Sequence, residues 1–179
     1  IKAHLEAGNN ARTFAYDETN ELFAQVMKEM GLLSAKPIIY ACNMDDDGVM
    51  NTEASDYYNI VAKKAASEGA AVLAICAKTE EELSELDEEE KAMFMEELGI
   101  AESGLDRLIK KSYALLGLIS YLTDGKKECR AWTIKNGTKS PGAAGKIHSD
   151  FERGFIRAQV IAYDDLLEAG FDYQAVKAK

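Results

Sequence analysis

Only two histidines, His4 and His148, and three cysteines, Cys42, Cys76 and Cys129, occur in 179 residues. A histidine-based metal centre and a Ser-His-Asp triad therefore have little raw material. No C-x-x-C pair supplies a zinc or thiol-redox spacing. Cys42 and Cys76 fall inside apolar, strand-like runs, where a thiol behaves as a small hydrophobe. Three widely spaced thiols fit a reducing, cytoplasmic compartment. No apolar run approaches the ~20 residues of a membrane span, and the opening IKAHLEAGNNAR has no apolar signal core. A phosphate-binding G-x-x-x-x-G-K-[ST] loop is also missing. Gly125-Lys126 and Gly145-Lys146 lack the first glycine at the required distance and the following Ser or Thr. Without that loop there is no phosphate cradle and no hydroxyl for Mg²⁺, so the chain alone is expected not to hydrolyse a nucleotide. It opens on Ile rather than Met and reads as a piece of a larger protein.

Charge is distributed unevenly. The formal net charge is -10, and residues 79–104 carry eleven acids against one lysine. Residues 105–160 carry eleven bases against five acids. The acidic run reads as a solvated helical face. A cationic stretch inside an acidic chain points to an anionic partner, with nucleic acid the first candidate.

Apolar periodicity gives an α/β order up to Gly117. Residues 1–11 read as the end of a helix stopping near Gly8-Asn9-Asn10. Asp17 is placed to cap a second helix, with Leu22, Phe23, Val26, Met27 and Met30 at helical spacing and Gly31 as the stop. Pro37 precedes an apolar run at 38–42. Ser55 opens a helix with Tyr58, Val61, Ala62 and Ala65 on one face, closed at Gly69, and 70–77 is a second apolar run. Two such runs separated by a helix predict a βαβ unit with parallel strands buried on both faces. Thr79 with Glu82, and Asp87 with Glu90, both match the capping-box pattern. Helices over 88–98 and from Ser103 to Gly117 follow. Beyond Gly117, two strand-like runs flank Asp124-Gly125, a two-residue hairpin signal. Residues 136–154 leave room for one short helix, and 155–163 alternate as a strand. A domain boundary falls near 117–118.

The two apolar runs end in marked chemistry, and open parallel sheets bind ligands beyond the C-terminal ends of their strands. The first ends in Asn43-Met44-Asp45-Asp46, the second in Cys76-Ala77-Lys78. An Asn amide both donates and accepts at a purine's ring edge. A carboxylate suits guanine, which presents two adjacent N–H donors, and repels the unprotonated ring nitrogen of adenine. The Ala77 N–H and the Lys78 stem would complete a base pocket. Taken alone, Asp45–Gly48 also reads as a solvated turn; the alternating ligands and closing Glu of an EF-hand are missing. His148, Ser149 and Asp150 read as a local cap, with Asp150 or Ser149 accepting from backbone N–H groups.

LLSAKPIIYACNMDDDG, the stretch EGAAVLAICAKTEEELSELDEEEKAMFMEELGIAESGLDRLI, and KECRAWTIKNGTKSPGAAGKIHSDFERGFIRAQVIAYDD together resemble the later portion of the YchF/Obg-like ATPase family. RAWTI and IHSDFERGFIRA are the most specific and resemble its TGS domain, a β-grasp fold. The resemblance implies three parts: the return of a helical insertion (1–16), the C-terminal part of a P-loop nucleotide-binding domain (17–117), and a TGS domain (118–179). In family members the TGS domain continues past this point with a further hairpin and strand. The resemblance implies a cytoplasmic, monomeric, ribosome-associated parent that hydrolyses ATP, or GTP, with Mg²⁺ held outside this chain and no membrane contact. Asn43, Met44, Asp46, Cys76, Ala77 and Lys78 map to base recognition. Met44 replaces the lysine of Asn-Lys-x-Asp, and its carbonyl is free to accept from the adenine amino group. Family members carry Glu where this chain has Asp46, the residue guanine-specific proteins use. Two alternatives stay open: a stand-alone RNA- or protein-binding module, and a GTP-specific switch. Lys126, Lys127, Arg130, Lys135, Lys139, Lys146, Arg153 and Arg157 are expected to contact ribosomal RNA phosphates, with Trp132 in the core.

Overall fold

The computed structural model describes residues 1–15, 19–125 and 128–178. The Asp17 cap and the side chains of Lys126 and Lys127 lie outside them. Two compact units divide the chain, Ile1–Leu118 and Ile119–Lys179. Mixed α/β structure, with parallel strands and helices in the first unit and a small sheet with helices in the second, agrees with the expected fold class.

The first unit runs α1 (Lys2–Glu6), a 3-10 turn at Ala11–Thr13, α2 (Glu21–Met30), β1 (Ile39–Asn43), α3 (Asp46–Met50), α4 (Asp56–Glu68), β2 (Ala71–Ile75), α5 (Ala77–Glu85), α6 (Glu88–Glu97) and α7 (Gly104–Leu116). Asn20 caps α2 by accepting the Phe23 N–H. Ser55 caps α4 by accepting the Tyr58 N–H, and Gly69 ends it at φ +66°, a conformation that favours glycine. Helix α4 is the crossover that makes β1 and β2 parallel, in register from Ile39 opposite Ala71 to Asn43 opposite Ile75. Leu73 and Ala74 of β2, Ala65 of α4 and Leu83 of α5 are all buried. β1 is only half-covered, against the expectation of burial on both faces, and among the described residues β2 is its only strand neighbour.

Asp87 and Glu90 form the expected capping box. Thr79 does not begin a helix. β2 stops at Ile75, Cys76 takes the N-cap position, and α5 starts at once with Ala77 and Lys78, both good helix formers. Thr79 is therefore inside the first turn, and Glu82 pairs with Lys78 instead.

The second unit contains β3 (Leu118–Asp124), β4 (Cys129–Lys135), α8 (Ser140–Ile147), α9 (Ser149–Arg153), α10 (Tyr163–Glu168) and α11 (Tyr173–Ala178). The connection of the β3–β4 hairpin spans 125–128 rather than two residues, with the Gly125 N–H donating to Glu128 O at 3.0 Å. Asp124 is the last residue of β3, and its carboxylate accepts from the Tyr173 hydroxyl at 2.6 Å and the Cys129 thiol at 3.1 Å. Two short helices replace the single one expected. His148 breaks them with an extended backbone, and its own Nδ1, rather than Ser149 or Asp150, accepts the Asp150 N–H. Residues 155–162 are not a strand. Ile156 and Val160 are 91% and 83% exposed. Alternation alone makes no ladder, and the hairpin does not pair with this run among the described residues. Trp132 is half-buried rather than core. Ile134 is the buried member of β4, while the Trp132 indole N–H donates to Thr123 and the Arg130 guanidinium lies 4.4 Å over its ring. Tyr121 pins α8 to the hairpin through its hydroxyl and Ala143 O, 2.8 Å apart. Among the described residues no helix is long and apolar enough to cross a membrane.

Candidate nucleotide-base site

The parallel register puts the C-terminal ends of β1 and β2 side by side, where the Met44 N–H donates to Ile75 O at 2.8 Å. Both strands then turn into helices, so each end exposes the unsatisfied N–H groups of a first helical turn. Two long-range hydrogen bonds join the ends. Asn43 Oδ1 accepts the Ala77 N–H at 3.0 Å, and the Thr79 hydroxyl donates to Asp46 Oδ1. The Ala77 N–H, expected to face a base, is here held by the Asn43 side chain. The solvated-turn reading of the aspartates is realised by Asp45 alone, which caps α3 by accepting the Gly48 N–H at 2.8 Å.

Of the sequence-derived base residues, Asn43 and Ala77 meet directly, and both are exposed. Cys76 is buried beneath them and Met44 is half-buried. Lys78 is exposed and reaches Glu82 at 3.7 Å. Asp46 turns toward a cleft of about 370 Å³ that it shares with Cys76, Thr79, Glu80, Glu102 and Arg107. Glu80 closes the α7 N-terminus by accepting the Gly104 and Leu105 N–H groups at 2.6 and 3.0 Å. Arg107 holds Ala74 O of β2 at 3.2 Å. Thr79 is the residue that sequence reasoning misread. Its signal was a hydroxyl one helical turn past a strand end, matching Asp46 one turn past the other.

Toward the other end of the strands, where α4 ends and β2 begins, Glu68 is a buried hub, its side chain 3% exposed. It accepts from Arg12 at 2.5 and 3.2 Å, Tyr40 at 3.0 Å, Lys64 at 2.6 Å and Asn10 at 3.2 Å. Lys64 and Arg12, helped by Tyr40, hold its carboxyl down at about 2. This hub ties residues 10–12 and β1 to the end of α4, and no part of it was visible as a motif.

The described residues contain no cluster able to hold a metal ion, and the glycine-rich lysine loop is missing from the sequence. In the second unit Arg130, Lys135, Lys139, Lys146, Arg153 and Arg157 are all exposed, and among the described residues none pairs with a carboxylate.

Residues 118–179 match the family model YchF-GTPase_C, described as a protein of unknown function. The ribosome-binding ATPase YchF of Bacillus subtilis is 49% identical over 170 residues, 95% of this chain and 46% of the relative. That of Haemophilus influenzae is 49% identical over 144 residues, 80% of this chain and 39% of the relative. The chain thus spans a little under half the length of these relatives. The solved structure of the Schizosaccharomyces pombe YchF GTPase superposes with a TM-score of 0.79 at 31% identity, covering 97% of this chain and 45% of that one.

Proposed function

We propose, from the premise that this chain belongs to the YchF family, that it carries the base-reading edge of a ribosome-associated ATPase. Residues 1–16 are the return of a helical insertion, 17–117 the C-terminal part of the nucleotide-binding domain, and 118–179 a TGS module. The observation that carries this reading is the junction of two parallel strand ends, with Asn43 and the Ala77 N–H 3.0 Å apart at the surface. An Asn amide fixed by a backbone donor beyond the ends of parallel strands suits a purine edge. The Met44 carbonyl accepts from an adenine amino group, and the Lys78 stem covers the base. The phosphates, Mg²⁺ and the attacking water are handled by residues outside these 179, in a cytoplasmic parent.

The relatives are named ATPase and the yeast neighbour GTPase, so the nucleotide is the point to test. Calorimetry of the full-length protein with Mg²⁺-ATP and Mg²⁺-GTP is expected to give tighter binding of ATP. Tighter binding of GTP would replace the ATPase reading with the GTP-specific one.

The exposed cations of the second unit are the ribosome-facing surface of the proposal. Changing Lys139, Lys146 and Arg153 together to Gln is expected to weaken ribosome co-sedimentation. The slope of log K against log salt should fall by about 2 to 3. An unchanged slope places the ribosome contact elsewhere.

A further inference from the structure

Thr79 lies in the first turn of α5 and is 3% exposed. A buried hydroxyl needs a partner. A helical threonine commonly shares a carbonyl of the preceding turn, as Ser112 does with Leu108 O at 2.7 Å. The Thr79 proton goes instead to Asp46, 33 residues away at the other strand end. Asp46 is free to take it, because the neighbouring Asp45 caps α3. The pair lines the cleft beside α5 and α7, and Asn43, Met44, Ala77 and Lys78 are not among the residues lining it. One oxygen of the Asp46 carboxylate is therefore committed to the Thr79 hydroxyl.

For a purine this tie matters. Guanine presents a ring N–H beside an amino group, and reading both takes the two oxygens of one free carboxylate. Adenine presents a lone pair on the same ring nitrogen, which a free carboxylate repels. An aspartate at this place selects guanine when it swings free and ceases to oppose adenine when it is tied back. We propose that Thr79 is a specificity-determining residue of the base site, positioning Asp46 so that a pocket containing an aspartate accepts adenine. This rests on the base-site reading above.

The test titrates full-length protein with Mg²⁺-ATP and Mg²⁺-GTP by calorimetry. Thr79→Val removes the hydroxyl and keeps the shape. It is expected to shift the ratio of the two dissociation constants toward GTP by about tenfold, the worth of one good polar contact. Thr79→Ser should keep the wild-type ratio, and Asp46→Asn added to Thr79→Val should cancel the shift. The ratio does not depend on what fraction of a variant is folded. An unchanged ratio in Thr79→Val, or a shift that Asp46→Asn leaves in place, overturns the proposal. Asn43→Ala separates the two layers. If it weakens both nucleotides while Thr79→Val leaves the ratio alone, the base site stands and the role of Thr79 fails. If Asn43→Ala weakens neither, both fall.

Discussion

Asn43→Ala is expected to lower the affinity of the full-length protein for ATP and GTP alike by about a hundredfold. The side chain has two tasks at one strand end. Its Oδ1 holds the Ala77 N–H at 3.0 Å, and in the proposed site its amide meets the ring edge of a purine. Truncation removes the proposed base contact and the side chain that orders the Ala77 turn. A recognition group left unpaired in the complex costs about 1 to 3 kcal/mol, up to about two decades of binding. Asn43→Asp keeps an acceptor for Ala77 but loses the amide donor, so an intermediate loss of about tenfold is expected. Asn43 is exposed, so the melting temperature should stay close to wild type. Affinity lost together with folding would make Asn43 a structural residue and remove it from the base site.

The second large effect concerns Glu68. Four side chains donate to this one buried carboxylate, from residues 4 to 58 positions away along the chain. Breaking a buried ion pair by removing one partner is costly, because the cations lose their counter-charge. Glu68→Gln is expected to lower the melting temperature by on the order of 10 °C. The same group sets an acid dependence. Its carboxyl is held at about 2 in the folded protein, below its ordinary 4.5, chiefly by Lys64 and then by Arg12. The unfolded chain therefore binds the proton more readily, and stability rises with pH across that interval. The contribution is complete above about 4.5 and lost as pH falls toward 2. Thermal melts between pH 2 and 6 should show a steeper fall for wild type than for Glu68→Gln. Parallel curves would show that another carboxylate governs acid unfolding.

What the sequence disclosed divides along the range of the interactions. Ser55 with Tyr58, Asp87 with Glu90, and Ser103 with Asp106 lie within one helical turn, so a short window contains both partners. The parallel strands were legible because continuous apolar runs flanked one helix, and their ends carried Asn43 and Ala77 where such sheets present ligands. Thr79 was misread because the capping pattern is local and its partner Asp46 is 33 residues away. The Glu68 hub was invisible for the same reason. Asp124 looked like a turn residue, but it ends β3 and its carboxylate accepts from Tyr173, 49 positions on. Residues 155–162 have the alternation of a strand, but a strand is defined by a neighbour, and the sequence of one segment does not supply it. Trp132 was assigned to the core by type, and Arg130 on its own strand decided otherwise.

The most direct measurement is an amide NMR titration of ¹⁵N-labelled full-length protein with Mg²⁺-ATP, following the Ala77 backbone N–H and the Asn43 side-chain amide. A purine seated at the junction of the two strand ends disturbs both signals, through its ring current and through its hydrogen bond to the Asn43 amide. The expected result is large, saturable shifts at both residues, with the same dissociation constant as calorimetry. Saturable ATP binding with Ala77 and Asn43 unmoved would place the base elsewhere and contradict the assignment of this junction.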